Sequence, residues 1–163
     1  MTPTYDLIAS NVLTSSASSV TFSSIPATYR DLVLVVEYLS ATAGNAEARL
    51  RFNSDTGSNY STVVMTGDGS TASSGTYSLT EIYGSNATTT DRRINIYQIM
   101  DYSATDKHKT VLIRSNRASG SGPTVEALAG RWANTAAINS ITVRAKDADF
   151  ASAATFYLYG IVA

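Results

Sequence analysis

Residues 30–40 read RDLVLVVEYLS, and this stretch constrains the fold more than any other. Read as a strand, Leu32, Leu34, Val36 and Tyr38 point one way and Val33, Val35 and Leu39 the other, so both faces are apolar. A half-solvated strand alternates apolar with polar residues. A strand that does not is covered on both sides, by the domain's own second layer or by another subunit.

The rest of the chain reads as further short strands separated by turns. Tyr5 to Leu13 is a strand with Tyr5, Leu7 and Leu13 on one face, although Ile8 and Val12 weaken its alternation. Val20 and Phe22 follow at period two before the proline in Ser24-Ile25-Pro26-Ala27 breaks the run. Ala46 to Phe52 alternates most cleanly, with Ala48, Leu50 and Phe52 inward and Glu47, Arg49 and Arg51 outward. Thr62 to Met65 and Thr76 to Tyr83 are shorter or weaker strands, and Asn86 to Asp91 is a polar turn. Arg92 to Tyr102 is a longer strand whose alternation slips near Tyr97, the pattern of a β-bulge. Lys109 to Ser115, Val125 to Trp132, Ile138 to Ala145 and Ala154 to Val162 complete the set, with a turn at 120–123. A helix competes only over residues 126–138, where Gly130 and Asn134 interrupt it and the β neighbours favour strand.

About nine or ten strands without alternating helices predict an all-β, jelly-roll-like antiparallel β-sandwich. Residues 1–163 are expected to form one domain, with 1–6 as a short N-terminal arm. The expected core is Leu32, Leu34, Val36, Leu50, Phe52, Ile94, Val111, Ile113, Ile141, Val143, Phe156 and Leu158.

Composition narrows the function. Charged residues make up 15% of the chain, against roughly 25% in an average soluble domain, whereas Ser and Thr together supply 43 residues. Such a weakly charged, β-prone surface suits a protein that lies against identical neighbours or outside a cell. A net charge of -1 offers no basic footprint for nucleic acid or anionic lipid. The absence of cysteine removes disulfides, thiolate metal sites and cysteine nucleophiles. No apolar run is long enough to span a bilayer, and MTPTYDLIAS lacks the pattern of a signal peptide, which gives the expectation of a chain made in the cytoplasm.

No catalytic constellation stands out. The single histidine, His108, lies between Lys107 and Lys109 and reads as a solvated loop residue. No G-x-S-x-G elbow accompanies it. Asn53, Asp55, Gly57 and Asn59 have the spacing of a calcium loop, but a glycine stands where a ligand belongs and one carboxylate is present, so an Asx-rich turn is the better reading. Glu37, Glu47, Glu81 and Glu126 offer carboxylates, yet no spacing singles out a pair for glycoside hydrolysis. The expectation is therefore no enzyme, no cofactor and no metal. Ten tyrosines against four phenylalanines carry more information, because a tyrosine ring with a polar tip suits contact surfaces as well as strands. Tyr157 and Tyr159 share a face opposite Phe156 and Leu158, and Tyr38 lies on the doubly apolar strand. Val33, Val35, Tyr157 and Tyr159 are the candidate interface.

The segments SVTFSSIPATYRDLVLVV, LRFNSDTGSNY with GDGS after it, and AAINSITVRAKDADFASAATFYLYGIVA resemble small β-rich virion proteins of tailed bacteriophages, those of cyanobacterial phages included. The resemblance covers nearly the whole chain. It implies a jelly-roll module, commonly trimeric, in a virion, with no catalytic residues to carry over. Two stations follow from it. One is a head decoration or cement protein on the major capsid protein; the other is a tail-fibre or spike module that recognises host surface glycan through tyrosines and loops such as Asn53 to Tyr60.

Overall fold

Twelve strands form among the described residues, 4–117 and 124–162, of the computed structural model, and no helix does. The first six are β1 (Tyr5–Val12), β2 (Ser19–Phe22), β3 (Asp31–Tyr38), β4 (Ala46–Phe52), β5 (Tyr60–Gly67) and β6 (Ala72–Leu79). The last six are β7 (Asn86–Ala87), β8 (Arg93–Met100), β9 (Lys109–Arg117), β10 (Val125–Trp132), β11 (Ile141–Lys146) and β12 (Thr155–Ile161). They pair antiparallel in two sheets, an eight-stranded one ordered β1-β12-β3-β8-β9-β10-β5-β6 and a four-stranded one ordered β2-β11-β4-β7. This is an all-β sandwich. Without the β5–β6 and β9–β10 hairpins, each sheet has four strands and the chain passes back and forth between them, an order compatible with a jelly roll.

The doubly apolar strand sits at the structural centre. β3 lies between β12 and β8, and its Leu32, Leu34, Val36 and Tyr38 side chains are wholly buried against the small sheet. From that sheet Val20, Phe22, Leu50, Phe52, Ile141 and Val143 fill the other half of the core. Phe52, Tyr60 and Trp132 cluster at one end, with ring centroids 5.6 to 6.3 Å apart. Close approach of backbones demands glycine at Gly84, where a Cβ would overlap the Ala48 carbonyl oxygen.

Eleven of the twelve expected core residues are buried; Ile94 is not. Register places Ile94 opposite Glu37 and Asn116 on the outer face, and turns Arg93, Asn95, Tyr97 and Ile99 inward. The inner polar groups are held by hydrogen bonds. Arg93 Nε donates to the Asn86 carbonyl at 2.7 Å, and the Asn95 amide donates to the hydroxyls of Tyr97 at 2.9 Å and Tyr38 at 3.3 Å. Nor does β8 bulge at Tyr97, since its pairing with both neighbours is unbroken. The irregularity is in β1, between Leu7 and Ala9. There one extra residue switches the inward face, so Ile8, Ala9 and Leu13 pack toward the core while Tyr5 and Leu7 are exposed.

Other boundaries also move. Tyr5 and Asp6 belong to β1, and the Thr4 carbonyl accepts a hydrogen bond from the Val162 amide at 3.1 Å, so residues 4–6 are not a free arm. Residues 1–3 and the turn expected at 120–123 lie outside the described residues. Thr62 to Met65 is part of the longer β5, and the strand expected over Thr76 to Tyr83 is β6, which ends at Leu79. Beyond it, Ile82 bridges to Leu50 and carries the chain across to the small sheet.

Candidate contact face

The outer face of the eight-stranded sheet can be read strand by strand from its register, because opposed residues in an antiparallel pair share a face. One row crosses the sheet as Leu7, Tyr159, Val33, Gln98, Leu112, Ala129, Val63 and Thr76. The next is Ser10, Tyr157, Val35, Ile96, Arg114, Ala127, Met65 and Ser74. Arg114 is the one charged residue in either row. Among the described residues, every large apolar side chain left exposed lies on this sheet, and all but Tyr77 are on its outer face: Tyr5, Leu7, Val12, Val63, Met65, Leu112 and Val125.

Val33, Val35, Tyr157 and Tyr159 are brought together here. Val33 opposes Tyr159 and Val35 opposes Tyr157, and the two tyrosine rings stack with centroids 6.5 Å apart. Tyr5 meets Tyr159 edge-on at 6.5 Å. A hollow of about 260 Å³ lined by Tyr5, Val33, Val35, Ile96 and Tyr159 adjoins a larger one of about 520 Å³ lined by Ile94, Ile96, Arg114, Val125 and Ala127. Tyr38 is not part of this surface. It faces the core, where its hydroxyl donates to the Ser85 carbonyl at 2.5 Å and burial raises its pKa well above the ordinary tyrosine value.

The outer face of the four-stranded sheet is built oppositely. Arg51 opposes Thr142, Arg49 opposes Arg144, and Glu47 opposes Lys146. Glu81, itself almost wholly buried, binds Arg51 at 2.8 Å and Arg144 at 2.6 and 3.1 Å, with Arg49 at 4.0 Å. The hydrogen bonds to Glu81 raise the pKa of Arg144. Arg49 also pairs with Glu47 and lies over the Tyr83 ring, which stacks on Tyr77 at 4.1 Å.

The remaining polar candidates resolve as structural anchors. Each of the four glutamates is ion-paired to arginine: Glu37 to Arg92, Glu47 to Arg49, Glu81 to Arg51 and Arg144, and Glu126 to Arg93. In the Asn53–Asn59 run, Asp55 accepts hydrogen bonds at 2.8 Å from the Gly57 amide, the Asn59 amide group and the Trp132 indole. Those donors, Asn59 first, lower the Asp55 pKa to about 2. Both carboxylate oxygens thus face N–H groups, and the run is an Asx turn pinned to the core. His108 is exposed, as its neighbours Asp106 and Lys107 are. Lys109, which the sequence presented only as a flanking charge, is fully buried. Its ammonium donates to the carbonyls of Lys107 at 2.9 Å and Thr135 at 3.1 Å, and burial pushes its pKa down. The available signal was its phase with Val111 and Ile113 on β9.

Compared with protein-family models, curated proteins and solved structures, the chain matches none of them. The resemblance to phage virion proteins rests on the segments quoted above.

Proposed function

We propose that this chain is a non-enzymatic structural protein of a tailed-phage virion, a head decoration or cement protein that acts as a homo-oligomer, a trimer, on the major capsid protein. The observation that carries this reading is the concentration of exposed apolar side chains on the outer face of the large sheet. Eight strands spaced about 4.8 Å apart and eight residues of about 3.4 Å each make a face on the order of 1,000 Å². A face of that size has room for the roughly 800 Å² each partner contributes to a standard interface. Single apolar residues on a surface need no partner, but seven exposed apolar side chains gathered on one face mark a contact site. The jelly-roll-compatible strand order also supports the reading.

Cementing action then follows from multivalency. A trimer touches several capsid subunits at once, and linked weak contacts give avidity far above any single one. Antibody labelling or a reconstruction of purified particles tests the station. Density on the head is expected, whereas density at the tail tip would replace cementing with host recognition.

A further inference from the structure

The four sheet edges of this fold are protected unequally. β1 has a bulge between Leu7 and Ala9 and carries Asp6; β2 is four residues long, and β7 is two. β6 has none of these devices. It pairs with β5 over eight unbroken positions, and residues 71–80, TASSGTYSLT, contain neither charge nor proline. Among the described residues no strand pairs with its far edge, and its side chains are exposed or half-buried along its whole length. Charge, proline, bulges and shortness are how natural sheets keep an edge from recruiting another strand. A fold that uses one of them at three edges leaves the fourth open.

The open edge is also held ready. At the β5–β6 turn, Asp68 accepts hydrogen bonds from the amides of Ser70 at 2.9 Å and Thr71 at 2.6 Å and from the Thr71 hydroxyl at 2.8 Å. These contacts hold the hairpin, so docking a further strand orders little that is not ordered already.

We infer that β6 pairs antiparallel with β6 of a second copy about a two-fold axis, joining two eight-stranded sheets into one. The strand is its own chemical match: self-pairing sets serine, threonine and glycine against one another, allows hydroxyl pairs across the strands, and opposes no like charges. The other edge of the same sheet serves less well, because the bulge in β1 would interrupt the ladder. A two-fold contact is also closed, so it stops at two copies instead of running on as a filament. This pairing uses a different surface and a different symmetry from the trimer contact proposed above, and either could stand without the other.

The absence of native cysteine makes the test direct. A two-fold sets one residue of β6 opposite its own copy, within disulfide range. Ser73→Cys, Ser74→Cys, Gly75→Cys and Thr76→Cys are made singly and oxidised, with Ser10→Cys on the β1 edge as the control. The expected result is a disulfide-linked dimer at one or two of the β6 positions, forming at least about tenfold faster than at Ser10, because a paired edge holds both thiols at high effective concentration. Adding Ser78→Lys with a second lysine on β6 should abolish that advantage while the far-ultraviolet spectrum stays native. Leu112→Asp, on the outer face, should leave it intact. Cross-linking no faster than the Ser10 control, or cross-linking unaffected by the lysines, would overturn the pairing.

Discussion

The two outer faces of this sandwich share one chain, one core and the same strand geometry, yet they meet their surroundings in opposite ways. On its outer side the small sheet carries Glu47, Arg49, Arg51 and Arg144, and the buried Glu81 from outside its strands ties the arginines together, so these charges are paired within the molecule. The large sheet turns outward two rows that are mostly apolar or tyrosine, with Gln98 and edge hydroxyls among them and Arg114 as their one charge. A face whose charges are paired with one another is finished when the chain folds. A broad apolar face is finished only when something covers it. Folding stability should therefore reside in the first contrast partner and assembly in the second, and substitutions can separate the two.

The largest effect is expected at Glu81. Glu81→Ala leaves Arg51 and Arg144 without their shared carboxylate at a site where Glu81 is almost wholly buried. Breaking such a cluster by removing one partner costs about 3 kcal/mol or more. Urea denaturation measures it, and a loss below about 1 kcal/mol, the worth of an ordinary surface pair, would mean that the lattice is decoration.

Asp55→Ala comes next, at about 2 kcal/mol, because it strips a carboxylate of three donors and leaves the Trp132 indole without its acceptor. The pH sign is fixed by the lowered pKa. Asp55 contributes in full above its unfolded value of 3.8 and loses that contribution as pH falls toward about 2. Acid titration of wild type and Asp55→Ala should therefore show their stabilities converging over that window, and a constant gap would reject the assignment.

Leu112→Asp should do almost nothing to the fold and much to the assembly. Leu112 is 46% exposed in the single chain, so its replacement should shift stability by no more than about 0.5 kcal/mol. Light scattering should nonetheless show fewer chains per particle. An equal assembly state in the variant would move the contact off this face.

Salt gives the smallest response. At about 1 M the screening length shrinks to about 3 Å, which weakens exposed charge pairs but not apolar contacts. Trimer mass should stay constant while folding stability falls by less than about 1 kcal/mol, with Arg144, the most exposed member of the lattice, contributing. Dissociation by salt alone would show that charge holds the copies together.

The sandwich was legible because burial at period two survives in β3, β4, β11 and β12, where inward positions are almost purely apolar, and in β9 through Val111 and Ile113. β8 misled because both of its faces carry isoleucine. Ile94 and Ile96 on one side look no less suited to a core than Tyr97 and Ile99 on the other, and only the pairing register with β3 decides. β1 was misread for a related reason. Its weakened alternation at Ile8 was the bulge itself, and a one-residue insertion reverses every later side chain. The candidate face was visible as the second apolar side of residues 30–40, along with its four central residues. Its extension to Leu112, Met65 and Val63 was not, since these come from strands distant in sequence and are aligned only by pairing. The ion-pair lattice escaped for the same reason, because Glu81 lies outside the strands that carry its arginines.

The most direct test of the account is hydroxyl-radical footprinting of the protein at assembling and at dissociating concentrations, read residue by residue by mass spectrometry. Leu7, Leu112, Tyr157 and Tyr159, on the outer face of the large sheet, should become protected as the protein assembles, while Lys146 and Thr21 on the small sheet stay as reactive as before. Outer-face reactivity that does not change with concentration, or protection that appears on the small sheet instead, would contradict it.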